Sequence, residues 1–394
     1  MNLSGMNMAS LRKLNEFNIL NYLNSKGSAS RHEIAREIGL TPASLTQITG
    51  RLMDTGILRE CGVSSESGKG RKQILLEINP DWKYIISISI EVDVTFVTIT
   101  NVLGRKLIQD SIPTSHDIEP ELFLDEVFEL TEKLMKEFEA GLRAKKKEEP
   151  DYLGISVGIP GPVRDGISIG SRLWKKAVPV KRILEEKTGL PVSLENNVNA
   201  FASAELTFGE GKRYEELLLI KWGPGVGSTE IRGGDAHKFG IRPVEMGHFI
   251  VNKSGKKCSC GKNGCLETEI SFDAINSKLK ERGLEEISSQ EDFGSYYETH
   301  IDKGDYASEV LSFALDIFSM CIVNTRTLLS PDKVVFYGAM LRSKRVRDDI
   351  IRSCLTYDPG IEKSIFIYSR LSDREEFIGP SADLVMKKIY SEIE

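Results

Sequence analysis

The residues in this sequence best suited to chemistry lie between Glu245 and Glu267. His248 is separated by nine residues from Cys258-Ser-Cys260-Gly-Lys-Asn-Gly-Cys265, so one of five histidines meets three of six cysteines. Zinc takes four nitrogen or sulfur ligands in a tetrahedron, and one imidazole with three thiolates is a closed structural set. Four ligand-type residues at this spacing point to a metal rather than to unpaired thiols beside a core histidine. Gly261 and Gly264 supply the backbone freedom for the turn that brings Cys265 back to the other ligands. Zinc has no need of Glu245 or Glu267, which leaves both carboxylates for a polar ligand.

Two further motifs accompany this run: Gly154-Ile-Ser-Val-Gly-Ile-Pro160-Gly161-Pro-Val and Pro191-Val-Ser-Leu-Glu195-Asn196-Asn197-Val-Asn199-Ala200. With Gly247-His248 and the cysteines they resemble, in kind and order, the signatures of the ROK family of repressors, open reading frames and sugar kinases. The resemblance covers most of the chain. It implies an α/β, actin-like ATPase-type domain of two lobes around a ligand cleft. It also implies that Asn196, Asn197, Glu245, His248 and Glu267 hold sugar hydroxyls. His248 would then serve twice, with one ring nitrogen on zinc and the other toward the sugar.

Phosphoryl transfer needs a base, phosphate cradles and a metal site. The resemblance implies a catalytic Asp where this chain has Asn197, and a carboxamide has no useful basicity. Glu195, Glu245 and Glu267 are nearby carboxylates, but the motif gives them other places. The first phosphate loop of such kinases, Asp-x-Gly-Gly-Thr, is matched here by Glu91-Val-Asp-Val-Thr95, whose valines predict a continued strand. The second, Gly-Thr-Gly-x-Gly, reads Gly223-Pro-Gly-Val-Gly227; Pro224 removes a backbone donor, and the turn is expected to persist as a lobe connection. Three departures favour a sugar sensor with no catalytic residue and no ATP. The alternative is an active glucose or N-acetylhexosamine kinase fused to a regulatory head.

Near the start of the chain, residues 10–26 carry apolar side chains at helical spacing, with Gly27 as a stop. Ser30 is placed to cap a helix from Arg31 to Ile38, ended by Gly39. Thr41-Pro42 reads as cap and first position of a third helix to about Met53, with Ala43 or Leu45, Ile48 and Leu52 inward. Strands near 57–60 and 73–78 flank a small basic tip. This is the layout of a winged helix-turn-helix over residues 1–80. Ser44, Thr46, Gln47 and Arg51 on the third helix and Lys69, Arg71 and Lys72 on the wing are the candidate DNA contacts.

Residues 81–394 form the second domain. Its first lobe is expected over 81–190 with a returning C-terminal helix at 380–392, and its second over 191–379. Strands are expected at 85–90, 92–102, 106–108 and 152–159, with a long helix from Pro120 to Lys146. A similar order follows after Leu217, with helices near 272–282 and 305–329 and a strand at 333–337.

Composition fits a soluble protein, 40% hydrophobic and 28% charged. No 18-residue uncharged apolar run or signal peptide stands out, so a cytoplasmic location with reduced thiols and no membrane contact is expected. Net charge is −6, but residues 1–80 hold ten Lys/Arg against seven Asp/Glu, a mildly basic head on an acidic body. The expected partners are double-stranded operator DNA, a small sugar effector and a second copy of the chain, as dimer or tetramer.

Overall fold

The computed structural model describes residues 8–63, 72–115, 117–170, 173–232 and 240–390. Helix α1 (Met8–Lys26) turns Leu14, Phe17, Leu20 and Leu23 inward. Strand β1 (Ser28–Ser30) ends in a cap, where Ser30 accepts the Glu33 N–H at 3.2 Å and starts α2 (Arg31–Ile38). Gly39 closes α2 in the left-handed conformation. Thr41 likewise accepts the Ser44 N–H and Pro42 opens α3 (Pro42–Asp54). Such caps are worth about 1 kcal/mol each. Leu45, Ile48 and Leu52 are buried, whereas Ala43 is exposed. Strands β2 (Leu58–Val63) and β3 (Ile74–Ile78) make the wing hairpin, in the order β1-β3-β2. Its tip, with Lys69 and Arg71, lies outside the described residues.

The first lobe is a sheet of order β11-β7-β4-β5-β6. Its strands are β4 (Tyr84–Ile90), β5 (Val94–Asn101), β6 (Lys106–Pro113), then, after α4 (Pro120–Ala144), β7 (Tyr152–Ile159). A small sheet of β8 (Val163–Arg164), β9 (Ile167–Ile169) and β10 (Ala177–Val178) leads to α5 (Val180–Thr188) and β11 (Val192–Asn196). Two expectations are corrected here. Glu91, Val92 and Asp93 are not strand, and β5 starts only at Val94: β4 and β5 are antiparallel, with Ile90 opposite Thr95, so the residues between must reverse the chain. Glu91 N–H closes this turn on Val94 O at 3.1 Å. The lobe also runs past residue 190, because β11 pairs in parallel with β7 and buries Val192 and Leu194 in the first core.

The second lobe follows α6 (Asn197–Phe208). Its sheet, β14-β13-β12-β15-β16, comprises β12 (Glu216–Trp222), β13 (Val226–Arg232), β14 (Gly240–Pro243), β15 (Lys333–Tyr337) and β16 (Phe366–Tyr368). Between them come α7 (Leu266–Ile270), α8 (Phe272–Glu281), α9 (Phe293–His300), α10 (Tyr306–Leu329) and α11 (Lys344–Tyr357), and α12 (Glu375–Val385) ends the fold. The glycine-rich turn after Trp222 is a β12–β13 hairpin, with Gly223 N–H on Gly225 O at 3.0 Å, and not a lobe connection. Helix α10 is long and apolar enough to cross a membrane. Its apolar side chains instead form the centre of the second core, beside Trp222, Phe293 and Phe336.

Helix α12 starts at Glu375, five residues before its expected first residue, Pro380. Proline cannot donate to the helical ladder, but here it sits inside the helix and its ring faces Gly158 of β7. Ser87 Oγ donates to the neighbouring Phe377 carbonyl at 2.7 Å. The chain thus returns to β4 and β7. Helices α6 and α12 cross between the two sheets and share one apolar core, in which Phe201 stacks on Tyr337 at 3.9 Å.

Candidate functional site

The cysteine segment folds as a compact loop between β14 and α7. Lys257 pairs with Asn263 and Ile250 with Cys265, which folds the chain back on itself. Gly264 makes that possible: at φ 66° it comes so close to Asn252 that a Cβ would meet the carbonyl oxygen at 1.5 Å. His248, Cys258, Cys260 and Cys265 then present ligand atoms all within 4.8 Å of one another. Cys258 Sγ lies 3.5 Å from His248 Nδ1, and Cys260 Sγ lies 3.6 Å from Cys265 Sγ. These are separations at which one tetrahedral ion can touch all four. Burial, then hydrogen bonds from Cys260 and Cys258, push the Cys265 thiol up to about 12. A cation that binds here must therefore displace protons.

The other imidazole nitrogen, Nε2, faces Glu245 Oε2 at 3.8 Å, and Glu245 is largely exposed. The two ring nitrogens of His248 thus face different neighbours, a thiol on one side and Glu245 on the other. Glu267 turns the other way: its Oε2 accepts the Val226 N–H at 3.4 Å, beside Gly225, where a Cβ would meet it at 2.6 Å.

At the start of α6 the two asparagines separate in role. Asn196 Oδ1 accepts the Val198 and Asn199 N–H groups at 2.9 Å and 3.2 Å, and Asn196 Nδ2 donates to Gly161 O at 2.9 Å. Both ends of that side chain are engaged in capping the helix and tying it to the Pro160-Gly161 loop. Asn197 instead donates through Nδ2 to Glu91 Oε1 and Oε2 at 3.1 Å and 3.2 Å. Glu91 also meets Lys221 from β12, and Lys221 in turn meets Glu375 of α12. The hairpin β12–β13 lies between these groups and α7, since Gly227 touches Val198 and Val226 touches Glu267.

Sequence reasoning missed Glu91, Lys221 and Glu375 as the charged cluster around Asn197. A signal existed for Lys221, an ammonium that follows the buried run Leu217–Ile220 and precedes a buried Trp222. A charge so placed needs a partner.

Residues 88–385 match the model of the ROK family. The chain belongs to the ROK family. Residues 12–59 match a winged helix-turn-helix DNA-binding model. The chain is 27% identical over 393 residues to a putative xylose repressor of a Caldicellulosiruptor species, covering 95% of this chain and 96% of the relative. It is 24% identical to the DNA-binding transcriptional repressor Mlc of Escherichia coli over 284 residues, 71% of this chain and 68% of Mlc. A solved ROK family transcriptional regulator, a homologue of Mlc, superposes with a TM-score of 0.75 at 24% identity, covering 97% of each chain. The ROK hexokinase of Thermus thermophilus shares the fold with a TM-score of 0.60 at 22% identity, over 77% of this chain and 98% of the enzyme.

In this ROK chain the head displays α3 with Ser44, Thr46 and Gln47 exposed. Ser44 and Thr46 already bond within the helix start, to Thr41 Oγ1 and Pro42 O, which leaves Gln47 the most available outer side chain of the three. Arg51 is only half-exposed and pairs with Glu16 of α1 at 3.3 Å, so it braces α3 against α1. Lys72 is exposed at the base of the wing.

Proposed function

We propose that this chain is a sugar-responsive, DNA-binding transcriptional repressor of carbohydrate-utilisation genes, in which a kinase-like domain serves as sugar sensor. The observation that carries this reading is the span of α6. It begins at the candidate sugar contacts Asn196 and Asn197 and ends against the DNA-type head, where Asn24 of α1 donates to Thr207 O at 2.6 Å. A ligand that moves one end of a buried, continuous helix moves the other. It shifts the head only to the extent that it binds the two arrangements with different affinity.

The cleft works as a binding site and not as a catalyst. Asn197 holds the place of the base and cannot take a proton, and its amide is bonded to Glu91. Asn197, Glu245, His248 and Glu267 offer the acceptors and donors that a sugar's hydroxyls require, and Asn196 fixes the loop beneath them. Zinc on His248 Nδ1 and the three thiolates would fix the imidazole and keep Glu245 and Glu267 in place. On the head, Gln47, Ser44 and Thr46 are assigned to the major groove, and Lys69, Arg71 and Lys72 of the wing sequence to phosphates. Helix-turn-helix heads read half-sites in pairs, which implies a symmetric oligomer acting on operator DNA in the cytoplasm.

The test is a gel-shift titration of the full chain on the region upstream of its own operon, with and without xylose, glucose and N-acetylglucosamine. The expected result is salt-sensitive, sequence-specific binding whose affinity changes with one of the sugars. Hexose-dependent ADP release at ~1–100 per second would establish the kinase instead.

A further inference from the structure

The floor of the cleft carries charges that sugar binding alone does not require. Lys221 reaches from the end of β12 with only 13% of its side chain exposed, and its Nζ lies 3.4 Å from Glu91 Oε2 and against Glu375. Glu91 belongs to the β4–β5 turn of the first lobe, Lys221 to the second sheet, and Glu375 to the helix that crosses between them. Asn197 completes the set through its bonds to Glu91. The space these groups enclose with Ser89 and Tyr337 is about 10 Å³. That is room for one water and not for a phosphate.

Two consequences follow from the chemistry of these side chains. A carboxylate only accepts hydrogen bonds, so the Asn197 amide must turn its nitrogen to Glu91 and its oxygen the other way. Asn197 therefore offers the ligand an acceptor, to which a hydroxyl can donate. The ammonium of Lys221, meanwhile, is already shared by two carboxylates. Burial opposes its charge, but Glu375 and Glu91 more than offset this and hold its pKa above the ordinary lysine value. An anionic ligand would have to strip Lys221 from both carboxylates and leave them buried without a cation.

We propose that Glu91, Lys221 and Glu375 make this cleft selective for a neutral, unphosphorylated sugar: Glu91 positions Asn197 to accept a sugar hydroxyl, and the filled ion cluster turns away sugar phosphates and nucleotides. This rests on the reading of the cleft as a sugar site and adds the class of sugar it admits. The three groups come from both lobes, so the selectivity does not depend on a nucleotide to close the cleft.

The experiment is isothermal titration of the full-length protein with xylose, glucose, N-acetylglucosamine, glucose 6-phosphate, N-acetylglucosamine 6-phosphate and magnesium ATP. One free sugar is expected to bind ~100-fold more tightly than any of the phosphate-bearing probes, since like charges in close juxtaposition cost several kcal/mol. Glu91→Gln is expected to weaken the free sugar ~10-fold, because a carboxamide no longer dictates which way Asn197 faces. The double variant Glu91→Gln/Glu375→Gln removes both carboxylates that hold Lys221 and leaves its ammonium free to meet a phosphate. It is expected to shrink the preference for free sugar over its phosphate below ~10-fold, a ratio that general loosening of the fold would not alter. A wild-type preference for a phosphate ester or for ATP would overturn this proposal while leaving the sugar reading intact. Binding of none of the probes would overturn the sugar reading itself, and this proposal with it.

Discussion

At the scale of single residues, the site divides into groups whose type alone betrays them and groups whose position does. The His248–Cys265 set is of the first kind, because clustered thiols and imidazole have few other uses. Its assembly lets a prediction be made for the metal. Cys260→Ser, or exhaustive chelation of the full chain, is expected to loosen the 245–267 segment, which carries both Glu245 and Glu267. Sugar affinity should fall at least ~10-fold, equivalent to about 1.4 kcal/mol, with a lower melting temperature. Calorimetry with and without chelator is the measurement, and unchanged sugar binding would show that the loop holds its shape without an ion. Glu91, Lys221 and Glu375 are of the second kind. They lie 130 residues and more apart in sequence from Glu91 to Lys221 and onward to Glu375. Nothing in the spacing of such common residues announces a buried cluster; only folding two lobes together creates it. Asn196 shows a third case. Its motif marked it for the ligand, whereas its side chain is spent on the start of α6.

At the scale of elements, α6 and α12 matter most, and they were unequally legible. The head's helices were readable almost to the residue, because Ser30, Gly39, Thr41 and Pro42 are local signals that act on their nearest neighbours. Helix α12 was not, because Pro380 is ordinarily a stop or a first residue. Its place inside the helix depends on packing against Gly158, a contact made across more than 200 residues of chain. The boundary at β11 was hidden for the same reason, since a strand's lobe is decided by the partner it finds. Both crossing helices carry cleft residues at their N-terminal ends, Asn197 on α6 and Glu375 on α12. Both also reach the head, since Leu384 and Val385 of α12 share a core with Leu20, Leu23 and Leu76. The Asn24–Thr207 hydrogen bond is the polar part of this joint, worth about 1 kcal/mol. Asn24→Ala is therefore expected to leave sugar affinity within ~2-fold of wild type. The effect of sugar on operator affinity should fall by ~5-fold, as the loss of one such bond allows. Operator titrations at zero and saturating sugar measure this, and an unchanged ratio would remove that bond from the coupling.

At the scale of the whole molecule, the head is not a bead on a string, because Ile85 and Val102 of the first lobe lie in the same apolar core as the head's own residues. The joint has one costly member. Lys212, just beyond α6, reaches Asn24 O at 3.4 Å, and burial brings its pKa down to about 8. An unfolded lysine keeps its ordinary value near 10.4, so between these limits the unfolded chain binds more protons than the folded one. Stability from this group therefore rises with pH across that window, and below about pH 8 the folded protein bears the full cost of a buried ammonium. Allowing for partial exposure, that cost is on the order of 1–3 kcal/mol. Lys212→Met keeps the aliphatic stem without the charge. The variant is expected to melt a few degrees above wild type at pH 7, and the gap should narrow as pH approaches 10. Because other groups titrate in both proteins, the quantity to follow is the difference between their melting temperatures at each pH. A gap that stays constant, or a variant that melts lower at pH 7, would mean that the ammonium's contact with Asn24 outweighs its desolvation. The head would then be held to the body partly by a charge rather than in spite of one.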